Sequence, residues 1–257
     1  MSDKESRQDG TQAIRRAAAV LRHVASAAEG GVGLRQVSEA TGLSRSTAHR
    51  IVKCLLDEDL LEYDEDARRY HVGNLVFELG LSSAARQQQI LKWRGLVDDL
   101  ARACGATAYL IGRSGYEAVC LYKAEGSSVL RAIPVEVGQR RPLGVGAAAT
   151  ALLAATTDAG MEAVLKAIAP HLGDTSRLTE EQVRRLVEEA RRTGFVESRG
   201  NVAEGVYGLG MALPGATGAA ALAVSIAAHN SVATDAKVAE WRRQFERLRK
   251  RAVEIAG

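Results

Sequence analysis

The sequence predicts an α+β protein with two parts: a helical amino-terminal region that ends in a β-hairpin, and a larger region that mixes strands with helices. Three observations predict this class. Apolar residues recur with helical spacing over residues 12–28. Apolar and polar residues alternate in the short runs Leu61–Tyr63 and Tyr70–Val72, as in a hairpin. From residue 107 onwards, runs of strand-like segments have helix-like segments between them, which indicates an α+β sheet domain.

The amino-terminal helices occur in the order expected for a helix-turn-helix. A short helix over residues 34–42 ends at Gly42, and Ser44 is a suitable N-cap for a third helix. The buried face of that third helix is predicted to contain Ala48, Ile51, Val52 and Leu55. Two helices joined by a short turn containing Gly form a helix-turn-helix, and the hairpin that follows makes it winged. The alternative is a helical hairpin within an unrelated core.

The third helix has no acidic residue in its first turn, although the helix dipole favours acids there. A helix that enters the major groove by its amino terminus meets phosphates and base edges, which bind hydroxyls and cations. The residues predicted to contact DNA are Ser44, Arg45, Ser46, Thr47, His49, Arg50 and Lys53, together with Arg68 and Arg69 near the hairpin tip. For the two hairpin arginines a solvated turn is the alternative.

The amino-terminal region has no excess of positive charge, but its basic and acidic residues lie in separate segments. The whole chain of 257 residues has a formal net charge of +3. The first 73 residues hold 11 Lys and Arg against 12 Asp and Glu, a net charge of −1. Residues 44–53 contain three basic residues and no acid, whereas residues 57–66 contain seven acids. Binding to DNA would therefore depend on a local basic cluster rather than on overall charge.

The chain organisation expected from these patterns has four parts. Residues 1–10 are expected to be a disordered tail, and residues 11–73 a winged helix-turn-helix. Residues 74–89 are expected to form a linker helix, within a helical stretch that has a break near Ser82–Ser83. Residues 90–257 are expected to form the second domain. Residues 107–113 and 117–124 are strand-like, and residues 129–138 are a candidate third strand. Segments 195–200 and 206–215 then precede a buried central strand at 220–228, and the last helix covers 235–256.

Three segments resemble proteins of the IclR family of transcriptional regulators. ATGLSRSTAHRIVKCLLDEDLLEYDEDARRYHVGNLVFELG resembles that family's winged helix-turn-helix and linker. RPLGVGAAATALLAA and GVYGLGMALPGATGAAALAVSIAAH resemble its effector-binding domain, so the resemblance covers roughly residues 11–256. It implies a GAF-like α/β effector domain, a homodimer or homotetramer, and repression or activation of catabolic operons in response to small organic acids.

The Gly-rich turn before residue 147 is the predicted effector site. A Gly-rich turn that opens a helix exposes backbone amides that suit a carboxylate, and the candidates are Gly146, Ala147 and Ala148. Plain close packing of small residues against the sheet is the alternative. The resemblance adds Ser198, Gly208, Ser225 and Ala227. Because Gly and Ala enlarge such a pocket, we expect a larger or more apolar acid, with aromatic acids as a candidate class.

Other chemistries are not expected. Gly144-x-Gly146-x-x-Ala149 resembles a dinucleotide motif, but Gln139–Pro142 replaces the buried strand that must precede it. No motif of a hydrolase, zinc protease or P-loop enzyme occurs, so no enzyme activity, cofactor or metal is predicted. No apolar run approaches the ~18 residues of a membrane span, and a cytoplasmic protein with reduced cysteines is expected. A winged-helix adaptor that binds protein instead of DNA stays open as the second hypothesis.

Overall fold

A computed structural model describes residues 2–27, 30–128, 135–215 and 221–256. The chain divides into two compact units, Met1–Gln87 and Gln88–Gly257, and mixes helices with sheet, which confirms the predicted α+β class. The first unit contains α1 (Ser2–Ser26), α2 (Leu34–Thr41), α3 (Arg45–Asp57), β1 (Leu61–Asp64), β2 (Arg69–Val72) and α4 (Asn74–Leu81). Helix α5 (Ala84–Cys104) begins after the predicted break at Ser82–Ser83.

The first helix begins earlier than the sequence analysis expects. Helix α1 starts at Ser2, so the segment expected as a tail, residues 1–10, is helical over its described part. The segment contains no proline, so its sequence has no residue that must end a helix there.

Helices α1, α2 and α3 surround a small apolar core to which the hairpin is attached. Val24, Val37 and Val52 are buried in this core, and Leu61 of β1 joins them. The hairpin pairs Leu61 with Val72 in antiparallel register, as the alternation predicts. These elements form the winged helix-turn-helix that the sequence predicts.

The second unit is a six-stranded sheet covered on both faces. Its remaining elements are β3 (Thr107–Ser114), β4 (Glu117–Ala124), β5 (Arg140–Pro142), α6 (Ala147–Ala154), α7 (Asp158–Ile168), α8 (Leu172–Thr175), α9 (Glu180–Thr193), β6 (Val196–Arg199), β7 (Val206–Ala212), β8 (Leu222–His229) and α10 (Asp235–Ala256). The strand order is β5-β4-β3-β8-β7-β6, and every described pair is antiparallel.

Two separate cores lie on the two faces of this sheet. One contains Trp93 of α5 and Trp241 of α10, and the other contains Leu152 of α6, Leu165 of α7 and Val187 of α9. Strand β8 lies inside the sheet with both faces covered, which explains its nearly continuous apolar run and confirms the predicted buried strand. Residues 129–134 of the strand predicted at 129–138 lie outside the described residues.

A bulge interrupts the pairing of β3 with β4. Leu110 pairs with Tyr122, whereas the next residue, Ile111, pairs with Cys120, so β4 contains one extra residue. The alternation of faces along β4 therefore resets at this point. No helix in the described part of the chain is both long and apolar enough to cross a bilayer.

Candidate nucleic-acid interface and ligand cavity

The amino terminus of α3 is fixed by Ser44. The Ser44 Oγ accepts a hydrogen bond from the backbone N–H of Thr47 at 3.3 Å and lies 2.8 Å from the Thr47 hydroxyl oxygen. This contact satisfies one of the amides that a helix leaves unpaired at its start. Ala48, Val52 and Leu55 then anchor the opposite face of the helix in the core. Ser44 and Thr47 therefore have a structural role in addition to the one predicted from sequence.

The outer face of α3 is exposed and basic. Arg45, Ser46, His49, Arg50 and Lys53 are all exposed. Within the described residues, none of the arginines or lysines in this group forms an ion pair. The acidic residues that follow, Asp57 to Asp59, lie at the far end of the helix. This face of α3 is thus a positive surface without an ion-pair partner among the described residues.

The structure separates the two hairpin arginines. Arg68 is exposed in the turn between β1 and β2, with a positive φ of 55°. Arg69 is half-buried, and its Nη1 donates a hydrogen bond to Oε1 of Gln36 at 2.5 Å. The same oxygen accepts the backbone N–H of Gly33, so Arg69 ties the hairpin to the start of α2. Only Arg68 projects from the tip, beside the exposed acids Glu65 and Asp66.

A cavity of about 100 Å³ lies between the start of α6 and the sheet. All the residues predicted to bind an effector line it: Gly146, Ala147, Ala148, Ser198, Gly208, Ser225 and Ala227. The strand register explains how distant segments meet. Ser198 pairs with Gly208, which pairs with Ala227, so one row crosses three strands. In the neighbouring row, Ser225 pairs with both Gly210 and Tyr109.

Glycine allows α6 to approach the sheet and to begin where it does. A Cβ added at Gly210 would come within 2.9 Å of backbone atoms of Ala147 and Ala148. Gly146 is the N-cap of α6 and has a φ of 93°, a conformation that favours glycine. No side chain caps the helix, so its first amides remain available beside the cavity.

Two serine hydroxyls contribute buried polar groups to the cavity wall. Ser198 is 5% exposed and Ser225 is 8% exposed. Neither side chain has a hydrogen-bond partner among the residues that the structure describes. Buried hydroxyls are nearly always hydrogen-bonded in proteins, so this pair is suited to a polar group of a ligand.

Sequence reasoning missed four polar or reactive residues of the cavity wall, namely Tyr109, Cys120, Gln139 and Arg141. Burial raises the pKa of Cys120 to about 12 and also raises the pKa of Tyr109, so both are neutral at pH 7. Burial lowers the pKa of Arg141, but a guanidinium remains charged. For Arg141 the sequence did contain a signal. Because neighbouring residues of a strand point to opposite faces, one member of the Arg140–Arg141 pair had to face the interior of the domain.

The described residues contain no cluster of three or more His, Cys, Asp or Glu side chains suited to a metal ion. The three cysteines are free; Cys54 is exposed, and Cys104 and Cys120 are buried. Lys123 and Glu136, two of the charged groups that act on Cys120, form an ion pair with each other, with Lys123 Nζ 2.9 Å from Oε1 of Glu136. The remaining wall is mostly aliphatic, with Ile111, Val145 and Val202 among its members.

Two family descriptions match the chain. The IclR helix-turn-helix domain matches residues 13–65, and the bacterial transcriptional regulator IclR C-terminal domain matches residues 83–256. The chain is 37% identical over 101 residues to the glycerol operon regulatory protein of Streptomyces coelicolor, which is 38% of this chain and 39% of that protein. That match spans less than two thirds of the relative. The HTH-type transcriptional repressor AllR of Escherichia coli is 25% identical over 230 residues, 89% of this chain and 84% of the repressor.

Solved structures show the same fold. An IclR transcriptional regulator from Alicyclobacillus acidocaldarius has a TM-score of 0.74 and 23% identity, over 96% of this chain and 99% of that one. An IclR homologue from Microbacterium hydrocarbonoxydans, solved in complex with 4-hydroxybenzoate, has a TM-score of 0.67 and 20% identity, over 95% and 97% of the two chains. The predicted family resemblance is confirmed.

Proposed function

Because the chain belongs to the IclR family of bacterial transcriptional regulators, we propose that α3 binds operator DNA and that the cavity beside α6 senses a small carboxylic acid. The observation that carries the first half is the exposed, unpaired cationic face of α3. Arginine and lysine at the start of a helix match the phosphates and guanine edges of a major groove. The proposed function includes no catalytic step.

Within this proposal the DNA-contacting residues have different roles. Arg45, Arg50 and Lys53 provide the charge, whereas Ser46 and His49 provide hydrogen bonds beside them. Ser44 and Thr47 act mainly by holding the first turn of α3 in place. Arg68 is a backbone contact from the hairpin tip. Arg69 acts through the orientation of the hairpin, because its side chain is bonded to Gln36.

The second half of the proposal depends on the wall of the cavity. Free amides at the start of α6 favour an anion, and the buried hydroxyls of Ser198 and Ser225 lack protein partners. The aliphatic remainder suits an apolar body. The enclosed volume of about 100 Å³ is smaller than the cavity of about 150 Å³ that holds benzene in another protein, so it favours a compact acid over the larger acid expected from the sequence. The Microbacterium homologue binds 4-hydroxybenzoate, an aromatic monocarboxylic acid, so aromatic acids are kept among the probes.

A second copy of the chain is the proposed partner of α4. This helix has no buried residue, although its sequence NLVFELGL is strongly apolar. Phe77 is 65% exposed and Leu79 is 57% exposed. Apolar clusters of this kind on a protein surface mark association sites. A twofold dimer would present two α3 helices to the two halves of a palindromic operator.

Fluorescence anisotropy tests the proposal, using DNA from immediately upstream of the protein's own gene at two salt concentrations. Arg50→Ala is expected to weaken binding by about 1–3 kcal/mol, the contribution of a base or phosphate contact. Arg35→Ala is the matched control, because Arg35 is exposed on α2 and pairs with Glu39 at 3.4 Å. Addition of benzoate or 4-hydroxybenzoate is expected to change the affinity of the native protein.

The adaptor hypothesis gives a different result in the same titration. Binding to DNA releases counterions, so affinity falls steeply as salt rises. If the native protein binds neither this DNA nor fragments captured from the whole genome in a salt-dependent way, the DNA-binding proposal is wrong. If Arg50→Ala and Arg35→Ala lose equal DNA affinity, the proposal that α3 makes the specific contacts is wrong.

A further inference from the structure

Arg140 and Arg141 are neighbours in β5 with opposite environments. The Arg140 Nε donates a hydrogen bond to Oε2 of Glu117 at 3.0 Å, and its Nη2 donates to the Ser114 hydroxyl at 2.6 Å. Arg141 lies on the other face of the strand and lines the cavity. Its side chain has no ion pair and no hydrogen bond among the described residues. In the part of the chain that the structure describes, Arg140 has protein partners and Arg141 has none.

The charge of Arg141 has no compensating acid among the described residues. Burial lowers its pKa, because removal from water disfavours the charged form. Of the described residues, Tyr109 and Cys120 are the titratable groups that act on it, and burial keeps both neutral at pH 7. A guanidinium cannot lose its proton at this pH, so it remains a cation with unused donors. A half-buried charge without a partner among the described residues is costly, which makes its presence here a sign of an external anion.

The position of the guanidinium adds a second argument. A Cβ built at Gly146 would lie 3.8 Å from Nη1 of Arg141, so the cation is next to the uncapped start of α6. The positive end of a helix and a guanidinium therefore meet at one side of the cavity. The nearly buried hydroxyls of Ser198 and Ser225 face the same space. This arrangement matches a carboxylate, which accepts two hydrogen bonds from an arginine fork.

We propose that Arg141 selects the charge of the effector, so that the cavity binds monocarboxylic acids with an apolar body and rejects their uncharged analogues. Among the described residues that line the cavity, Arg141 is the only cation, and the wall opposite is aliphatic, with Ile111, Val145 and Val202; this composition favours a single carboxylate. The inference rests on the proposed effector site and names the residue that makes this site acid-specific.

The test compares benzoate with benzamide, which has the same shape without the charge, in titrations of the full-length protein followed by thermal shift and calorimetry. The native protein is expected to prefer benzoate. Arg141→Met is expected to weaken benzoate binding by roughly tenfold to a hundredfold, as for a lost charge-assisted hydrogen bond, and to leave benzamide binding nearly unchanged. Arg140→Met is the matched control and is expected to keep the native preference.

Stability without ligand provides an independent readout. Arg141→Met is expected to melt at the native temperature or above it, because an uncompensated charge is replaced by an apolar side chain. A lower melting temperature shared with Arg141→Lys would mean that the guanidinium has a protein partner, and it would overturn the inference. Arg141→Lys, which keeps the charge but not the fork, is expected to bind benzoate with intermediate affinity.

The remaining outcomes separate the two proposals. If benzoate and benzamide stabilise the native protein equally, or if Arg141→Met keeps the preference for benzoate, the role of Arg141 is wrong while the effector site stands. If no carboxylic acid in a panel of aliphatic and aromatic acids stabilises the native protein, both the effector site and the role of Arg141 fail. The DNA titration is independent of either result.

Discussion

Gly210 of β7 lies directly against Ala147, the first residue of α6. A Cβ added to Gly210 would come within 2.9 Å of the carbonyl carbon of Ala147 and within 2.9 Å of the amide nitrogen of Ala148. Real Cβ atoms do not approach backbone so closely, so the sheet and the helix are in contact through their main chains. This contact fixes the height of α6 above the cavity.

Gly210→Ala is expected to destabilise the protein, because the new methyl group has only backbone atoms in front of it. Overpacking of this kind costs typically about 1–3 kcal/mol. Urea denaturation measures the change. The control is Gly95→Ala on α5, where an added Cβ meets nothing within 4 Å. That change is expected to be neutral or to stabilise by about 0.5–1 kcal/mol, since alanine favours helix. Equal effects at the two positions would contradict the close contact.

Gly208→Val is expected to abolish the response to acids without unfolding the protein. A Cβ at Gly208 would lie 3.4 Å from Cβ of Ala147, an ordinary contact, and the branches of valine would occupy the cavity. Valine also suits a strand. Calorimetry with benzoate measures the loss. DNA affinity without ligand is the control and is expected to be native, whereas undiminished benzoate binding would place the acid elsewhere.

Ser44→Ala and Ser46→Ala are expected to differ in stability. The Ser44 hydroxyl caps α3, and loss of an N-cap costs about 1 kcal/mol. Ser46 is exposed, and the one hydrogen bond of its side chain among the described residues is with the Ser44 hydroxyl, at 3.2 Å. Thermal denaturation is expected to show the larger loss for Ser44→Ala. DNA titration is expected to show a loss for Ser46→Ala at unchanged stability, and the reverse order would contradict the assigned roles.

Glu197→Gln is expected to reduce stability in a pH-dependent way. Burial alone would raise the pKa of Glu197, but hydrogen bonds from Arg242 and Tyr207 outweigh it and the pKa is lowered. The pKa of Glu197 in the folded protein therefore lies below its unfolded value of about 4.3. The carboxylate consequently contributes its full share to the free energy of unfolding above that pH. The difference between native protein and variant is expected to be about 1.5–3 kcal/mol at pH 7 and to vanish as pH falls through the folded pKa.

The control for this measurement is Glu181→Gln. Glu181 is 77% exposed and pairs with Arg185 one helical turn away. Exposed pairs of this type contribute about 0.3–0.5 kcal/mol. A pH-independent loss in Glu197→Gln would show that its hydrogen bonds do not depend on the carboxylate charge.

Phe77→Glu is expected to weaken the proposed dimer. Burial of a phenylalanine side chain contributes about 1.5–3 kcal/mol, so a charge at this position raises the dimer dissociation constant at least tenfold. Light scattering across a dilution series measures the association state. Tyr116→Glu is the control, since Tyr116 is 50% exposed in the turn between β3 and β4. A dimer that tolerates Phe77→Glu would assign the interface to another surface.

The helix-turn-helix was predictable because its determinants are local. The apolar spacing, the Ser44 cap and Gly42 in the turn all lie within a few residues of the structure that they specify. The different roles of Arg68 and Arg69 were not predictable, because the partner of Arg69 is Gln36, 33 residues earlier in the chain. The two arginines are neighbours in sequence, but a tertiary contact of Arg69 gives them different roles.

The cavity was predictable only in part. Ser198, Gly208 and Ala227 meet because strand register aligns them, and family resemblance indicated those positions. Regular alternation along β4 would place Cys120 and Tyr122 on one face. The bulge instead puts Cys120 beside the cavity and Tyr122 against the opposite core. The inward position of Arg141 follows from its pairing with Ala118, which also lines the cavity; the Arg140–Arg141 sequence alone does not show which of the two faces inwards.

Strand β5 has three residues and lies at the edge of the sheet, where a single neighbour holds it. Substitutions on such a strand disturb few other contacts, in contrast to those in β8, which is enclosed on both sides. The residue proposed to select ligand charge thus lies where a substitution disturbs few neighbours. We expect that one codon change at position 141 is enough to alter the effector preference, while the sheet, the helix above it and the helix-turn-helix domain stay as they are.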